Sequence, residues 1–307
     1  MSFTARAVAS ALLLCVGTAC VPSAGQTLKV VHYGRGKTKM GDIQQVGKMT
    51  IGVPSDFYPF GYLNRSHKPA GFTVGLGKLV AEALGVKARF ITRPSGQLLR
   101  LADSNRADLV FPMVPITQEA AAAHPFSDPY LLAHQRLLIP SGSGIHQVSD
   151  LNGKNVCSAI DPRTEIPLNR LDPQVRLLRV RSASRCVTAL RKHRVAAATA
   201  SDVALLGLKS RVHGSRIVGD QLTTEGYGAA VNTCAAGLAQ FATRVFATAK
   251  SDGKWTKLYK RWVLPATGES SIPEPPTLTV NDAWDLFPLA PSPTASPVVC
   301  ATPTPSP

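Results

Sequence analysis

The side chains able to ligate a metal or break a bond are thinly spread in this chain. Its six cysteines include no Cys-x-x-Cys pair, and its seven histidines form no cluster, so tetrahedral zinc finds no donor set and no cofactor is expected. No serine sits in a nucleophile elbow. "PSGSG" and "GLGK" are too short and wrongly composed to cradle a phosphate. What remains is the chemistry of recognition. Aromatic rings crowd "SDFYPFGYLN" at 55–64, and "PITQEAAAAHPFSDPY" at 115–130 runs from a polar triplet through four alanines to an aromatic-bracketed turn. Between Arg170 and Arg194 eight Lys or Arg face a single Asp, which reads as one basic face. No stacking aromatics interrupt that run, so nucleic acid is not an expected partner.

These residues must be held by a sizeable core. The chain has 307 residues, 44% of them hydrophobic, with 34 Lys plus Arg against 19 Asp plus Glu for a net charge of +15. Such a balance suits an anionic surface or solute. Residues 1–19 have the pattern of an export signal: Arg6, a short apolar run over 7–16, then small residues. "GTAC" at 17–20 resembles a bacterial lipoprotein signal, which implies that Cys20 becomes the acylated N-terminus and anchors the chain to a membrane without crossing it. Cleavage after Ala19 without acylation fits the same residues.

Residues 20–46 read as a flexible tether. From Met49 the pattern is strand, helix, strand, helix, strand, the signature of a parallel sheet covered by helices. It restarts after the connector "QRLLIPSG", and a second connector, "YGAAVN", leads into two closing helices. The expectation is α/β: two lobes, 47–136 plus 232–264 and 137–231, joined by two hinge strands, with a ligand cleft between them. From 265 to 307, where 11 of the 24 prolines fall, composition predicts a largely disordered tail. The island "AWDLFPL" within it reads as a solvated linker, with docking on the body as the alternative.

Seven blocks then occur in a family's order: "MTIGVPSDFYPFGYL", "AGFTVGLGKLVAEALGV", "LADSNRADLVFPMVPIT", "FSDPY", "DLNGKNV", "YGAAVN" and "DGKWTKLYKRWV". Over about residues 47–263 the chain resembles the extracytoplasmic solute-binding proteins of family 3, which capture polar amino acids for ABC importers. The resemblance implies the two-lobed type II periplasmic binding protein fold, hinge closure around a small polar solute, an ABC permease as partner, and a monomer at the outer face of the membrane. Cys157 and Cys186 look most like the actinobacterial lipoprotein branch, which implies a disulfide between them. Cys234 and Cys300 are then left to pair with each other.

Carried over position by position, the resemblance places Phe57 and Tyr62 at the aromatic wall and Met113, Pro115 and Thr117 along the first-lobe loop. Ala120 stands where the family's carboxylate-gripping Arg would be, and Ser201 where its ammonium-holding Asp would be, with Asp202 one residue later. A charge-assisted bond of that kind contributes about 1.5–3 kcal/mol. In the second lobe "DPRT" replaces a small hydroxyl turn, so Arg163 and Thr164 are expected ligand contacts, with Arg163 as the substitute anion grip and Arg93 a weaker candidate. The fold also carries enzymes such as cyclohexadienyl dehydratases, for which Asp161 or Glu165 would have to act as acid or base. The expectation here is a binding protein, not an enzyme. The alternative is a ligand-sensing module for a membrane receptor or kinase.

Overall fold

The computed structural model describes residues 30–159 and 162–286; the side chains of Pro162 and Arg163 lie outside that description, as do the export signal, Cys20 and Cys300. Lobe 1 begins earlier than its sequence suggests. Helix α1 (Lys39–Val46) is capped by Thr38, whose side chain accepts from the Gly41 amide, and it buries Met40 and Ile43. Residues 39–46 are therefore part of the body, not of a tether.

The first-lobe sheet is parallel, in order β5 (Lys87–Arg93), β1 (Lys48–Pro54), β6 (Leu109–Val110). β1 is buried from Met49 to Pro54, as a strand covered on both faces must be. Beside it lies a small antiparallel sheet of β2 (Asp56–Phe57), β3 (Gly61–Leu63) and β4 (Pro69–Ala70). Helices α2 (Phe72–Ala83), α3 (Leu99–Asp103) and α4 (Gln118–Ala123) complete the first half of the lobe. The chain crosses to lobe 2 through β7 (Leu131–Ala133), which pairs antiparallel with the returning strand β13 (Glu225–Tyr227).

This corrects the placement of the hinge. "QRLLIPSG" does not span the lobes. It forms β8 (Gln135–Pro140), an inner strand of a five-stranded sheet in order β10 (Arg176–Val180), β9 (Asn155–Ala159), β11 (Ala197–Ser201), β8, β12 (Ser215–Val218). β9, β10 and β11 are mutually parallel, but β8 runs antiparallel to both its neighbours, so the sheet is mixed. Helices α5 (Pro162–Leu171), α6 (Ser184–Arg191) and α7 (Asp202–Lys209) belong to this lobe. The Cys157–Cys186 disulfide joins β9 to the start of α6, as the resemblance implied. Cys234 is also disulfide-bonded.

The basic run 170–194 lands on edge strand β10 and helix α6, with Arg176, Arg179, Arg181, Arg185, Arg191 and Arg194 all exposed. The one acid within it, Asp172, is buried.

The chain returns to lobe 1 as α8 (Ala236–Ser251) and α9 (Lys254–Trp262), where Trp255 is 1% exposed. Val203 and Leu206 of α7 belong to the same buried cluster as Phe60, Trp255 and Tyr259, so the lobes touch through α7. Residues 265–286 are not a loose tail. They include α10 (Leu264–Thr267) and α11 (Val280–Asp285), and Ala283, from the island read as solvated, is 0% exposed. Lys209 Nζ donates to the carbonyls of Ala266 and Thr267 at 3.3 and 2.8 Å, and Lys250 Nζ to those of Pro129 and Pro276 at 2.8 and 2.7 Å. Composition undervalued this segment because docking needs only a few anchors, and prolines between them carry no amide needing a partner.

Candidate functional site

Phe57 and Tyr62 fall on opposite faces of one hairpin. Phe57 pairs with Gly61 and Tyr62 with Asp56 across β2–β3, and side chains alternate along a strand. Phe57 is half-buried, edge-on to Phe60 at 6.4 Å. Tyr62 instead meets Tyr58 at 5.0 Å and Trp262 at 6.4 Å, a ring cluster against the last long helix. Desolvation, and then the neighbouring Tyr58, raise the Tyr62 phenol above its ordinary range. The two rings therefore do not share one wall, because sequence spacing alone does not reveal which face of a short hairpin each ring takes.

The loop from 112 to 117 is held by its backbone. Met113 has φ 52°, a left-handed conformation uncommon for a side chain of its size. Its sulfur accepts from the Tyr130 hydroxyl at 3.3 Å and the residue is 5% exposed, so the side chain faces the core and any ligand contact at 113 falls to its peptide groups. Such strained positions cluster at ligand clamps. Pro115 is buried, and the next amide, of Ile116, donates to Gly226 in the crossing strand at 2.8 Å. Thr117 caps α4: its Oγ1 accepts from the Ala120 amide at 3.1 Å. Ala120 packs among apolar residues that include Ala121 and Trp284. Arg93 spends its NH1 on the neighbouring Thr92 carbonyl at 2.8 Å.

From lobe 2, the Thr164 carbonyl accepts from Gln135 Nε2 at 2.7 Å, and the same amide reaches Thr199 Oγ1 at 2.9 Å. Gln135 is 1% exposed and its Oε1 is a buried acceptor without a partner among the described residues. Arg163 lies by its backbone in the first turn of α5; its side chain is outside the described residues. Ser201 stands at the N-terminal cap of α7, with Oγ 3.3 Å from the Tyr227 hydroxyl, which is also 2.9 Å from Glu225 Oε2. Burial, followed by the nearby Glu225 carboxylate, pushes the Tyr227 phenol well up.

Gln135, Glu225 and Tyr227 are thus buried polar groups at the crossing that spacing did not single out. Long-range pairing, not local pattern, assembles them. The carboxylate just ahead of "YGAAVN" was the one signal available. This arrangement offers hydrogen bonds and apolar contact. No group of three or more metal-ligating side chains occurs among the described residues.

Asp202 goes elsewhere. It lines a cavity of ≈ 450 Å³ with Trp255 and Tyr259 from lobe 1, and none of Phe57, Tyr62, Met113, Pro115, Thr117, Thr164 or Ser201 does so. Asp202 Oδ1 accepts from the His134 amide at 3.1 Å. Desolvation raises its pKa above the ordinary aspartate value, against the lowering effects of His134, the Val203 amide and Arg136. A raised folded-state value means the folded chain holds the proton longer than the unfolded one. The resulting penalty is present above the folded pKa and vanishes below the unfolded one. Asp202→Asn is therefore expected to raise stability at pH 7, and that gain should disappear as pH falls through about 4. Thermal unfolding of both chains between pH 3 and 8 checks this; a variant less stable than the parent at pH 7 would show that the carboxylate is a paired charge instead.

The fold has counterparts of known structure. An ancestral arginine-binding protein bound to glutamine superposes with a TM-score of 0.59 at 29% identity, covering 71% of this chain and 98% of that one. The solute receptor for L-cysteine of Neisseria gonorrhoeae superposes with a TM-score of 0.62 at 25% identity, covering 76% and 97%. An ancestral amino acid-binding protein described as a precursor of cyclohexadienyl dehydratase shares the fold at 24% identity and a TM-score of 0.61, with 73% and 99% covered. In sequence, the ABC transporter glutamine-binding protein of Bacillus subtilis is 28% identical over 74% of this chain and 85% of its own length. A glutamine-binding protein of Geobacillus stearothermophilus is 26% identical over 65% and 78%. Residues 49–265 match one family throughout, spanning both lobes and both crossings, so this chain belongs to the bacterial extracellular solute-binding proteins, family 3.

Proposed function

We propose that the chain captures a small amino-acid-like solute in the cleft between its lobes and presents it to an ABC permease, without catalysis. The observation that supports this most directly is the family match running across both lobes and both crossing strands, the machinery of hinge closure. Relatives named for glutamine, cystine, arginine and histidine binding support an amino acid or a close derivative. In this reading Phe57, the peptide groups of 113–117, the first turn of α5 with Arg163 and Thr164, and Ser201 form the walls. The family's two ionic anchors are missing at Ala120 and Ser201, so affinity for a bare zwitterion is reduced and another polar feature of the solute carries more of the recognition.

A thermal-shift panel of amino acids, amino sugars, dicarboxylates and polyamines tests the reading. A solute at 100 times its dissociation constant adds about 2.7 kcal/mol of stability. A chain that no member of the panel stabilises refutes solute capture. Ala120→Arg restores the missing grip and is expected to tighten binding of an α-amino acid about ten- to a hundredfold, from the roughly 1.5–3 kcal/mol of a charge-assisted bond. Unchanged affinity in calorimetry would place the carboxylate away from residue 120.

The N-terminal residues support export and anchoring through an acylated Cys20, with the mature chain acting as a monomer at the membrane's outer face. Among the described residues no helix is long and apolar enough to cross a membrane. Metabolic labelling with palmitate, lost in Cys20→Ser, tests the anchor.

A further inference from the structure

The cavity at Asp202 is built by both lobes and by a segment that lies past the end of the family match. That match ends at residue 265, yet Thr267, Glu269, Glu274 and Pro276 line the cavity. The wall they form is pinned at both ends. Lys209, from α7, holds the carbonyls of Ala266 and Thr267, and Lys250, from α8, holds that of Pro276. Between these points the chain spans the flank of the hinge. The cavity's ≈ 450 Å³ falls within the size of small-molecule sites, about 300–1,000 Å³.

Its lining mixes two chemistries. Phe60, Leu206, Trp255 and Tyr259 are apolar or aromatic. Arg136, Lys209 and Arg216 stand with Asp202, Glu269 and Glu274 in the same lining. Arg216 spends NH2 on the carbonyls of Ser143 and Ile145. Among the described residues Arg136 donates one hydrogen bond, from Nε to the Gly219 carbonyl at 3.1 Å, and its NH1 forms an ion pair with Glu269 Oε1 at 3.7 Å, beyond hydrogen-bond length. The planar fork of Arg136 thus keeps donors for a carboxylate. Asp202 and Glu269 are carboxylates in the same cavity, within the field of that guanidinium. A desolvated carboxylate near an apolar wall gains from a cationic guest.

We propose that this cavity is a second ligand site, separate from the cleft, that takes a small zwitterion with an apolar side chain, such as an aliphatic or aromatic α-amino acid. Arg136 receives its carboxylate, Asp202 and Glu269 its ammonium, and Leu206 and Trp255 its side chain. Because the walls come from α7, α9 and the appended segment, an occupant stabilises the arrangement in which the lobes meet. The site does not depend on what fills the cleft.

Calorimetry on the full chain with L-leucine and L-phenylalanine, and with isopentylamine, phenethylamine and 3-phenylpropionate as single-charge probes, tests it. The expected result is binding of an amino acid at least tenfold tighter than of the amine or acid of the same body. Leu206→Trp, which fills the cavity, and Arg136→Gln, which removes the fork, should each weaken it at least tenfold. Should Leu206→Trp unfold the chain, the exposed pair Glu269→Gln and Glu274→Gln carries the same test and should weaken binding at least threefold. Phe57→Ala, a cleft variant, should leave this affinity within twofold. Binding that survives Leu206→Trp and is lost in Phe57→Ala would assign the ligand to the cleft, overturning this site while supporting the cleft. Equal affinity for amino acid, amine and acid, or no binding of any probe, overturns it as well.

Discussion

Replacing Cys157 and Cys186 together by alanine is expected to lower stability by about 3–4 kcal/mol, a drop of roughly ten degrees in the melting temperature. The two cysteines are 29 positions apart, and the bond between them removes the corresponding loop freedom from the unfolded chain. It joins a central strand to a helix on the same sheet, both sulfurs sit at buried positions, and Val187, Leu190 and Leu205 pack in the same cluster. Alanine at both places also gives up some of that packing. The enclosed segment carries much of the basic run, including exposed Arg176, Arg179, Arg181 and Arg185. Trypsin should therefore cut the variant within 170–185 faster than the parent. The check is thermal unfolding of both chains, with and without reductant. If the variant melts with the parent in the absence of reductant, the cross-link contributes nothing to this fold.

Much of the architecture was legible because each lobe repeats a simple local code. β1, α2 and β5 announce themselves through apolar strands and helical spacing, with Gly85 past the helix end in a left-handed turn at φ 74°. The hinge was misplaced for a physical reason. The crossing strand Leu131–Ala133 and the sheet strand Gln135–Pro140 are adjacent short apolar runs, and only their pairing partners distinguish them. The docked segment was missed because the prolines dominate its composition, while its local start signal is brief: Thr279 and Asp282 form a reciprocal cap ahead of Ala283 and Trp284.

At the site, the crowding of aromatic rings at 55–64 followed from sequence. The separation of Tyr62 from Phe57 did not, since a two-residue strand has too little pattern to fix a face. Asp202 was one residue from the family's anchor position, but Ser201 ends β11 while Asp202 opens α7. The change from strand to helix at that point takes the Asp202 carboxylate to a different cavity. Gln135, Glu225 and Tyr227 meet Thr164 and Ser201 only because the crossings bring distant segments together.

Ending the chain at Leu264 is expected to cost about 4 kcal/mol and to loosen the contact between lobes. Three kinds of interaction are lost. Ala283 and Trp284 leave an apolar cluster that contains Ile116, Phe126 and Ala230. The Val280 amide loses Asp128 Oδ1, a bond of 3.0 Å between residues 152 apart in sequence. Lys209 and Lys250 lose backbone carbonyls that now receive their charged donors, bonds worth about 1.5–3 kcal/mol each before water replaces the acceptor. Lys250 is the more sensitive of the two, because desolvation already pulls its pKa down. Truncation also removes residues beyond the described segment, so a point variant in the full chain is the sharper probe. Gly226 provides it: a Cβ there would stand 2.9 Å from the Ala283 Cβ and 3.0 Å from Pro129 Cγ. Gly226→Ala should therefore force α11 off the crossing strand and reproduce about half of the truncation's loss. Combining the two changes should add little, since both remove the same contact. Solution scattering is expected to show a larger radius of gyration for the Gly226→Ala chain, as lobe 2 is then held to lobe 1 through the crossings and α7 with a weakened brace. Melting temperatures and radii that match the parent in both variants would mean that residues 264–286 rest on the surface without restraining the hinge.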